Sequence, residues 1–315
     1  MHDERGAVLH GRKRWPAIGL ELRRNYELYL FVAPTLLYFV IFHYGPMYGA
    51  QIAFKNFIAT AGIFGSPWVG FAHFERFFRS FQFWRLIRNT LVLSLYQLLA
   101  GFPIPIVLAL LLNQLSSRRY RRVIQTVTYA PHFISTVVLV GILNLFLGLR
   151  TGLVNHAIRG LGGEAVFFLA SAGWFRSLYV WSGVWQNAGW GAVIYLAALS
   201  SINVELYEAA TVDGATRFQK IVHIDLPGIL PTAVVLLILN MGRVMQVGFE
   251  KAFLMQNALN LETSEIIATY VYKAGLVSAE YSFASAVGLF NSLVNVVLLV
   301  GMNWIAKRLS STGLW

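Results

Sequence analysis

The residues of this sequence that could do chemistry are polar side chains placed inside long apolar runs. Amide and guanidinium groups are costly in a lipid bilayer unless they find a hydrogen-bond partner or a water-filled cavity. The candidate set is Gln186, Asn187, Trp190, Asn240, Arg243, Asn291 and Asn295. The pattern predicts a pathway for a polar solute. Hydrogen bonding between neighbouring helices is the alternative, above all for Asn291 and Asn295, which lie four residues apart on one helical face.

Arg243 is the most costly of these side chains to place in a membrane. A charged residue at the centre of a membrane helix costs about 2.5–3.5 kcal/mol on insertion scales. Its guanidinium is therefore paired, faces a cavity, or extends to the membrane surface. In a cavity it would pair with a carboxylate, which favours an acidic solute. A neutral sugar stacked on the rings of Trp181, Trp185, Trp190 and Tyr195 is also compatible.

The usual motifs of catalysis are absent from the sequence. The seven histidines show no HExxH or other metal-ligand spacing, and the chain has no cysteine. There is no GxxxxGK[ST] phosphate loop and no GxSxG elbow. We therefore expect no metal and no cofactor in this chain. An intramembrane enzyme built on His132 or Asp225 stays open as an alternative.

Composition indicates a polytopic membrane protein. Of 315 residues, 57% are hydrophobic and only 12% are charged, against about 25% charged in soluble domains. The net charge of +11 would suggest nucleic acid in a soluble protein. Here the basic residues flank apolar runs, where they set topology and contact membrane lipid, so no nucleic acid is expected. The basic residues 1–27 contain no signal peptide.

Six membrane spans follow from the apolar runs, within a membrane domain predicted at 28–308. They are expected at about 28–47, 90–112, 123–147, 178–199, 229–247 and 283–305. The run RRYRR at 118–122, with Lys307 and Arg308, marks the cytoplasmic side. The tails 1–27 and 309–315 are therefore both expected in the cytoplasm. The phenylalanine-rich stretch 71–84 suits a helix in the membrane interface or one packed on the bundle, with direct ligand contact as the alternative.

A polar segment of unusual composition lies between the fourth and fifth spans. Residues 208–231 read EAATVDGATRFQKIVHIDLPGILP; we call them the EAA segment. Asp213-Gly214 predicts a turn between two short helices, because glycine reaches positive φ without steric cost. Pro227 and Pro231 are expected to break the chain where it re-enters the membrane. The result would be a compact cytoplasmic loop, predicted at 203–227, to which a partner protein could bind. An ordinary polar loop is the alternative.

This segment resembles the EAA loop of permease subunits in binding-protein-dependent ABC importers. The residues that match the family pattern are Glu208, Ala209, Ala210, Asp213, Gly214, Ala215, Phe218, Ile221, Leu226, Pro227 and Pro231. Residues 34–57, 65–78 and 88–90 and the C-terminal Gly313-Leu314-Trp315 are similar to one branch of the MalF/MalG-like sugar permeases. That branch holds LplB-like proteins and the first membrane subunit of bacterial alginate importers. The similarity runs from about residue 26 onward.

The resemblance implies an all-α fold of the type I, MetI-like kind, with six transmembrane helices and a cytoplasmic coupling helix. It implies a subunit of the bacterial inner membrane that is not itself an enzyme. The implied partners are a second homologous permease in a heterodimer, two ATPase subunits that bind ATP and Mg, and a periplasmic solute-binding protein. The residues implied in ATPase coupling are Glu208, Ala209, Ala210, Asp213, Gly214, Ala215, Phe218, Ile221 and Pro227.

The function implied is import of an oligosaccharide by alternating access, with an acidic alginate- or uronate-type sugar as one expectation. ATP-driven closure of the ATPases would move the coupling helix and rock the spans. The main alternative is a secondary transporter or channel that works without an ATPase. A signalling or scaffold membrane protein is a third possibility.

Overall fold

The computed structural model describes residues 24–310, and of these residues 24–51 and 52–310 form two compact units. Most of the predicted N-terminal tail and the C-terminal Gly313-Leu314-Trp315 lie outside the described residues. Helix α1, Tyr26–Phe54, accounts for the first unit and contributes its last three residues to the second. It contains a π-helical turn at Val40–Tyr44 and ends in a 3₁₀ turn, Tyr48–Phe54.

The second unit is built almost wholly of helices. Its helices are α2 Gly62–Gly65, α3 Ala72–Arg79, α4 Phe83–Asn113, α5 Arg118–Phe133, α6 Thr136–Leu147, α7 Leu153–Gly160, α8 Ala172–Ser200, α9 Val204–Val212, α10 Arg217–Met241, α11 Phe249–Met255, α12 Leu261–Ser264, α13 Ile267–Tyr272 and α14 Tyr281–Ser310. A π-helical turn, Lys273–Val277, continues α13. Within residues 24–310, extended pairing is limited to one isolated antiparallel bridge between Lys55 and Trp68.

Four helices of the described chain are long and apolar enough to cross a membrane: α1, α4, α10 and α14. The number rises to six if two bent helix pairs each count as one span. Helices α5 and α6 meet at 101°, and α8 and α9 meet at 73°. The all-helical, polytopic architecture expected from the sequence is therefore what the chain adopts.

Helix α8 packs against α4, α5 and α10 through small residues and buried aromatic rings. A Cβ on Gly189 would stand 2.1 Å from the Thr128 carbonyl oxygen, so only glycine allows α5 to approach α8 this closely. Tyr195 is buried with Ala109 of α4 and Ile229 of α10 in one core cluster. This packing brings α4, α8 and α10 together around the space described below.

Several segments differ from the sequence-based expectation. The third predicted span, 123–147, is two helices with a bend of 101°. The fifth, predicted at 229–247, is helical only as far as Met241, so Arg243 lies in the turn that follows the helix. The expected breaks at Pro227 and Pro231 do not occur, because α10 runs through both prolines. Pro227 is tolerated because it occupies the first turn after a π-helical turn, Ile221–Asp225. Because α10 begins at Arg217, part of the predicted loop 203–227 is helix.

The aromatic stretch 71–84 forms helix α3 and the start of α4. Phe77 is fully buried and packs edge-on against Phe83 and Phe290, with ring centroids 5.0 and 5.6 Å away. Phe71 and Phe81 of the same stretch are exposed. The segment thus packs on the helical bundle through one face.

Candidate functional site

A cavity of about 450 Å³ lies between α4, α8, α10 and the turn that follows α10. Its polar lining comes from Ser94, Gln97, Asn187, Asn240, Arg243 and Gln246. No aspartate or glutamate is among the residues that line it. The cavity therefore offers hydrogen-bonding groups and positive charge without a counter-charge.

Three of the seven candidate pathway residues line this cavity. The Asn187 amide donates to the Gly183 carbonyl at 3.0 Å, and Asn240 donates to the Leu236 carbonyl at 2.9 Å, each within its own helix. Arg243 is exposed and forms no ion pair with any residue in 24–310. Its guanidinium is thus free to meet an anion in the cavity.

Gln186 and Trp190 instead hold the bend between α5 and α6. Gln186 Nε2 donates to the Ile134 carbonyl at 2.7 Å, which satisfies a backbone oxygen left free where α5 ends. The Trp190 ring stacks on His132 with centroids 4.8 Å apart and planes within 1°. His132 also makes a 3.0 Å hydrogen bond to Asn187. These contacts give the two residues an architectural role.

Asn291 and Asn295 lie on α14 and do not line the cavity. Asn295 is buried, accepts from the Met245 backbone N–H at 3.0 Å and donates to the Asn291 carbonyl at 3.1 Å. Met245 comes after the end of α10, so its backbone N–H has no acceptor within that helix, and the Asn295 side chain supplies one. The expectation of hydrogen bonding between helices describes Asn295 better than a solute pathway does.

Lys251 is a charged residue of this region that the sequence did not single out. Its side chain is buried; Nζ donates to the Tyr179 carbonyl at 2.7 Å and lies 4.8 Å from the Tyr179 ring centroid. Nζ is also 3.2 Å from the position of a Cβ at Gly183, a residue that lines the cavity. Burial lowers the pKa of Lys251 to about 8. Lys251 itself does not line the cavity, but its ammonium group lies next to Gly183, which does.

The EAA segment forms a second candidate site around a glycine elbow. Asn203 caps α9 by accepting from the Glu205 N–H at 3.0 Å. Gly214 then turns the chain at φ +73°, a conformation that favours glycine. The Ala215 N–H donates back to the Ala210 carbonyl at 2.8 Å, which fixes the turn. The predicted shape of two helices about an elbow is therefore present, although the second helix is the long α10.

The predicted coupling residues fall into two groups by exposure. The exposed group is Glu208, Ala209, Asp213, Gly214, Phe218 and Pro227. Ala210 and Ala215 are half-buried at the elbow, and Ile221 packs against the core cluster that contains Tyr195. Val212, which we did not predict, is 87% exposed beside Phe218 at 73%. Apolar Val212 and Phe218 with acidic Glu208 and Asp213 form a surface suited to a protein partner.

Within residues 24–310, no three His, Cys, Asp or Glu side chains come together in a way that could hold a metal ion. The described residues therefore offer a polar cavity and an exposed surface of mixed apolar and acidic residues.

Comparison with known proteins identifies the class of this chain. Residues 101–311 match the family described as binding-protein-dependent transport system inner membrane component. The chain is 46% identical to protein LplB of Bacillus subtilis (strain 168), over 93% of this chain and 92% of that protein. It is 41% identical to the polygalacturonan/rhamnogalacturonan transport system permease protein YteP of the same organism, over 98% and 96% of the two chains.

Solved structures agree with these relatives. A chain of a crystal structure of a bacterial ABC transporter involved in import of the acidic polysaccharide alginate superposes with a TM-score of 0.87 and 44% identity. The match covers 93% of this chain and 99% of that one. A structure of an alginate ABC transporter in complex with alginate pentasaccharide-bound periplasmic protein gives the same TM-score and identity.

The predicted fold, the ABC permease function and the absence of an enzymatic role in this subunit are confirmed by these matches. They favour the importer over a secondary transporter or channel. The chain belongs to the family of binding-protein-dependent transport system inner membrane components and is a permease subunit of an ABC importer.

Proposed function

We propose that this subunit passes an acidic oligosaccharide from a periplasmic solute-binding protein to the cytoplasm. The observation that carries the proposal is the cavity with Arg243 at its lining, Lys251 beside it and no acidic lining residue. A guanidinium binds a carboxylate through two parallel hydrogen bonds, and a cavity strengthens such bonds by excluding water. The alginate importer that this chain resembles acts on an acidic polysaccharide, which supports the same class of solute.

A neutral sugar is the second candidate, and the positions of the tryptophans argue against it. Stacking would require an aromatic face open to the cavity. Tyr195 and Phe102 line the cavity, but Tyr195 is only 3% exposed and both rings pack in the core cluster that contains Ala109. Trp181 and Trp185 instead line a separate, apolar cavity of about 420 Å³ beside α6. Trp190 is already stacked on His132. Charge recognition therefore explains the cavity lining better than stacking does.

The exposed surface of the EAA segment is proposed to bind one of two partner ATPase subunits. Those ATPases would bind ATP and Mg, since this chain has no phosphate-binding loop. A second homologous permease would pair with this one, and movement of the EAA segment would open the cavity to alternate sides. We propose further that both chain termini lie in the cytoplasm, where the basic residues before the first span and after the last one favour them.

The test is uptake and ATP hydrolysis by the complete importer in proteoliposomes, with its binding protein and matched neutral and uronic oligosaccharides. We expect uronic oligosaccharides to stimulate ATP hydrolysis and to be taken up. Stimulation by neutral oligosaccharides alone would contradict the proposal.

Arg243→Gln tests the role of the guanidinium directly. Losing one charged hydrogen bond of ~1.4 kcal/mol should weaken apparent affinity for the acidic solute about tenfold. Arg79→Gln is the matched control, because Arg79 is exposed, pairs only with Glu75 and does not line the cavity. Equal uptake kinetics in Arg243→Gln and the control would remove Arg243 from the pathway.

A further inference from the structure

A buried carboxylate within the EAA segment connects α9, α10 and the end of α4. Asp225 is fully buried and closes the π-helical turn Ile221–Asp225 within α10. The Tyr207 hydroxyl of α9 donates to Asp225 Oδ1 at 2.5 Å, and Gln114 Nε2, directly after α4, donates to Oδ2 at 2.9 Å. No basic side chain in residues 24–310 forms an ion pair with Asp225. Its two oxygens are therefore satisfied by hydrogen bonds from two other elements.

This cluster of Tyr207, Asp225 and Gln114 is a stiff connection. Hydrogen bonds to a charged acceptor are shorter and stronger than those between neutral groups, and a buried carboxylate tolerates their loss poorly. Burial, and then the hydrogen bond to Asp225, raise the pKa of the Tyr207 phenol, so this group stays protonated and remains a donor. The cluster is stable only while all three elements keep their positions.

A second contact attaches the same face of α9 to α10. Lys220 Nζ donates to Thr211 Oγ1 at 2.7 Å. Tyr207 and Thr211 are one helical turn apart, so they share a face of α9. Glu208 and Val212, one position further on in each case, are exposed. Helix α9 thus has one face bonded within this chain and another free for a partner.

The two long helices that Asp225 connects to α9 are also walls of the cavity. Helix α4 supplies Gln97 to the cavity lining, and α10 supplies Asn240. The backbone link from α9 to α10 turns through Gly214 at φ +73°. A displacement of α9 therefore reaches the cavity walls through the side-chain cluster as well as through this turn.

We propose that the Tyr207–Asp225–Gln114 cluster transmits movement of α9 to α4 and α10, with Asp225 as the positioning residue. The inference rests on the proposed function, in which the exposed face of the EAA segment binds an ATPase. With the cluster intact, α4 and α10 move with α9 and the cavity changes its accessible side. With the cluster loosened, α9 moves alone and ATP is hydrolysed without transport.

The test is the ratio of solute imported to ATP hydrolysed, measured with the complete importer and its binding protein in proteoliposomes. Tyr207→Phe removes one hydroxyl and should lower the ratio about fivefold, the factor for a hydrogen bond of ~1 kcal/mol, while ATP hydrolysis continues. Tyr120→Phe, at an exposed tyrosine of α5, is the matched control and should leave the ratio unchanged.

Conservative substitution of Asp225 distinguishes the effect of its hydrogen bonds from the effect of removing its side chain. In Asp225→Asn, the side-chain oxygen still accepts from Tyr207, and the amide donates to Gln114 after the Gln114 amide rotates. In this variant the ratio of solute imported to ATP hydrolysed should stay within about twofold of the parent value, whereas Asp225→Ala should hydrolyse ATP with little import. An Asp225→Asn ratio as low as that of Asp225→Ala would overturn the argument.

Two further results would overturn the inference. One is an unchanged ratio of import to ATP hydrolysis in Tyr207→Phe. The other is a Tyr207→Phe variant that assembles poorly but has a normal ratio in the assembled importer, because the cluster would then serve only the stability of the subunit. Gly214→Pro and Glu208→Arg distinguish this failure from failure of the proposed function. If those two variants uncouple transport and Tyr207→Phe does not, only the cluster inference fails. If they also transport normally, the EAA segment does not bind the ATPase as proposed.

Discussion

Lys251 and Lys55 make nearly the same contacts in two different places, and Lys251 lies next to a residue that lines the cavity. Each buried ammonium donates to a backbone carbonyl at 2.7 Å and lies 4.8 Å from an aromatic ring centroid. Neither lysine lines the cavity, but Lys251 lies next to Gly183, which does, whereas Lys55 contacts Ile63 and Trp68, which do not. The pair therefore separates an effect of charge at the cavity from an effect of burying a lysine.

Lys251 should give transport of an acidic solute a dependence on pH. Burial lowers the pKa of Lys251 to about 8, so the side chain is charged below that pH and neutral above it. Uptake of a uronic oligosaccharide should fall as the pH rises through 8, and Lys251→Met should flatten this part of the profile. Lys55→Met should still show the fall in uptake above pH 8. The same fall in Lys251→Met would show that another group titrates.

The charge of Arg243 could be predicted from sequence, but the burial of Lys251 could not. Arg243 interrupts an apolar run and is conspicuous for that reason. Lys251 follows Glu250 in the stretch between two predicted spans, where a lysine is expected to be exposed. Its burial depends on Tyr179 and Gly183 of another helix. From the sequence, Asp225 suggests only a catalytic acid, because its hydrogen-bond partners come from α9 and from the end of α4.

Among the elements, the turn between α9 and α10 is the most sensitive to a backbone change. Gly214 has φ +73°, whereas proline is fixed near −65°, and the Gly214 N–H donates to the Thr211 carbonyl at 3.1 Å. Gly214→Pro should therefore abolish uptake while the chain remains in the membrane. Gly214→Ala, which costs about 1–2 kcal/mol in this conformation, should be milder. Uptake and immunoblotting of membranes measure both, and normal uptake by Gly214→Pro would contradict a coupling role.

Gln186 of α8 is one of the two side chains that hold the bend between α5 and α6. Gln186→Leu leaves the Ile134 carbonyl without its 2.7 Å donor. The loss of a buried hydrogen bond should lower stability by about 1–3 kcal/mol, seen as a lower midpoint of thermal unfolding in detergent. Gln51→Leu is the control, because that side chain bonds only its own helix at Tyr48. Equal midpoints in the two variants would show that the bend does not depend on Gln186.

At the same scale, sequence located the helices better than their ends and angles. The Asp213-Gly214 elbow and α9 follow from local residue preferences, which operate over a few neighbours. The end of α10 at Met241 depends on Asn295 of α14, which bonds the Met245 N–H. The 101° bend involves Gln186 and Trp190 of α8. Such long-range contacts are not visible in a single apolar run.

On the scale of the whole molecule, the number of membrane crossings decides on which side of the membrane α9 lies. Ser116 lies between α4 and α5, and α9 follows α8. If the bent pair α5–α6 crosses once and α8 crosses once, Ser116 and α9 lie on the same side. The basic run 118–122 predicts that this side is the cytoplasmic one. The binding of an ATPase to α9 requires the same orientation.

The absence of cysteine makes this orientation directly measurable. Ser116→Cys and Ser278→Cys each introduce one thiol at an exposed position. A membrane-impermeant maleimide should label Ser278→Cys in intact spheroplasts and Ser116→Cys only after permeabilisation, with the cysteine-free parent as the control. Labelling of Ser116→Cys in intact cells would place α9 outside, where no cytoplasmic ATPase could reach it. That result would leave the family and the fold unchanged but would exclude the EAA segment as the coupling site.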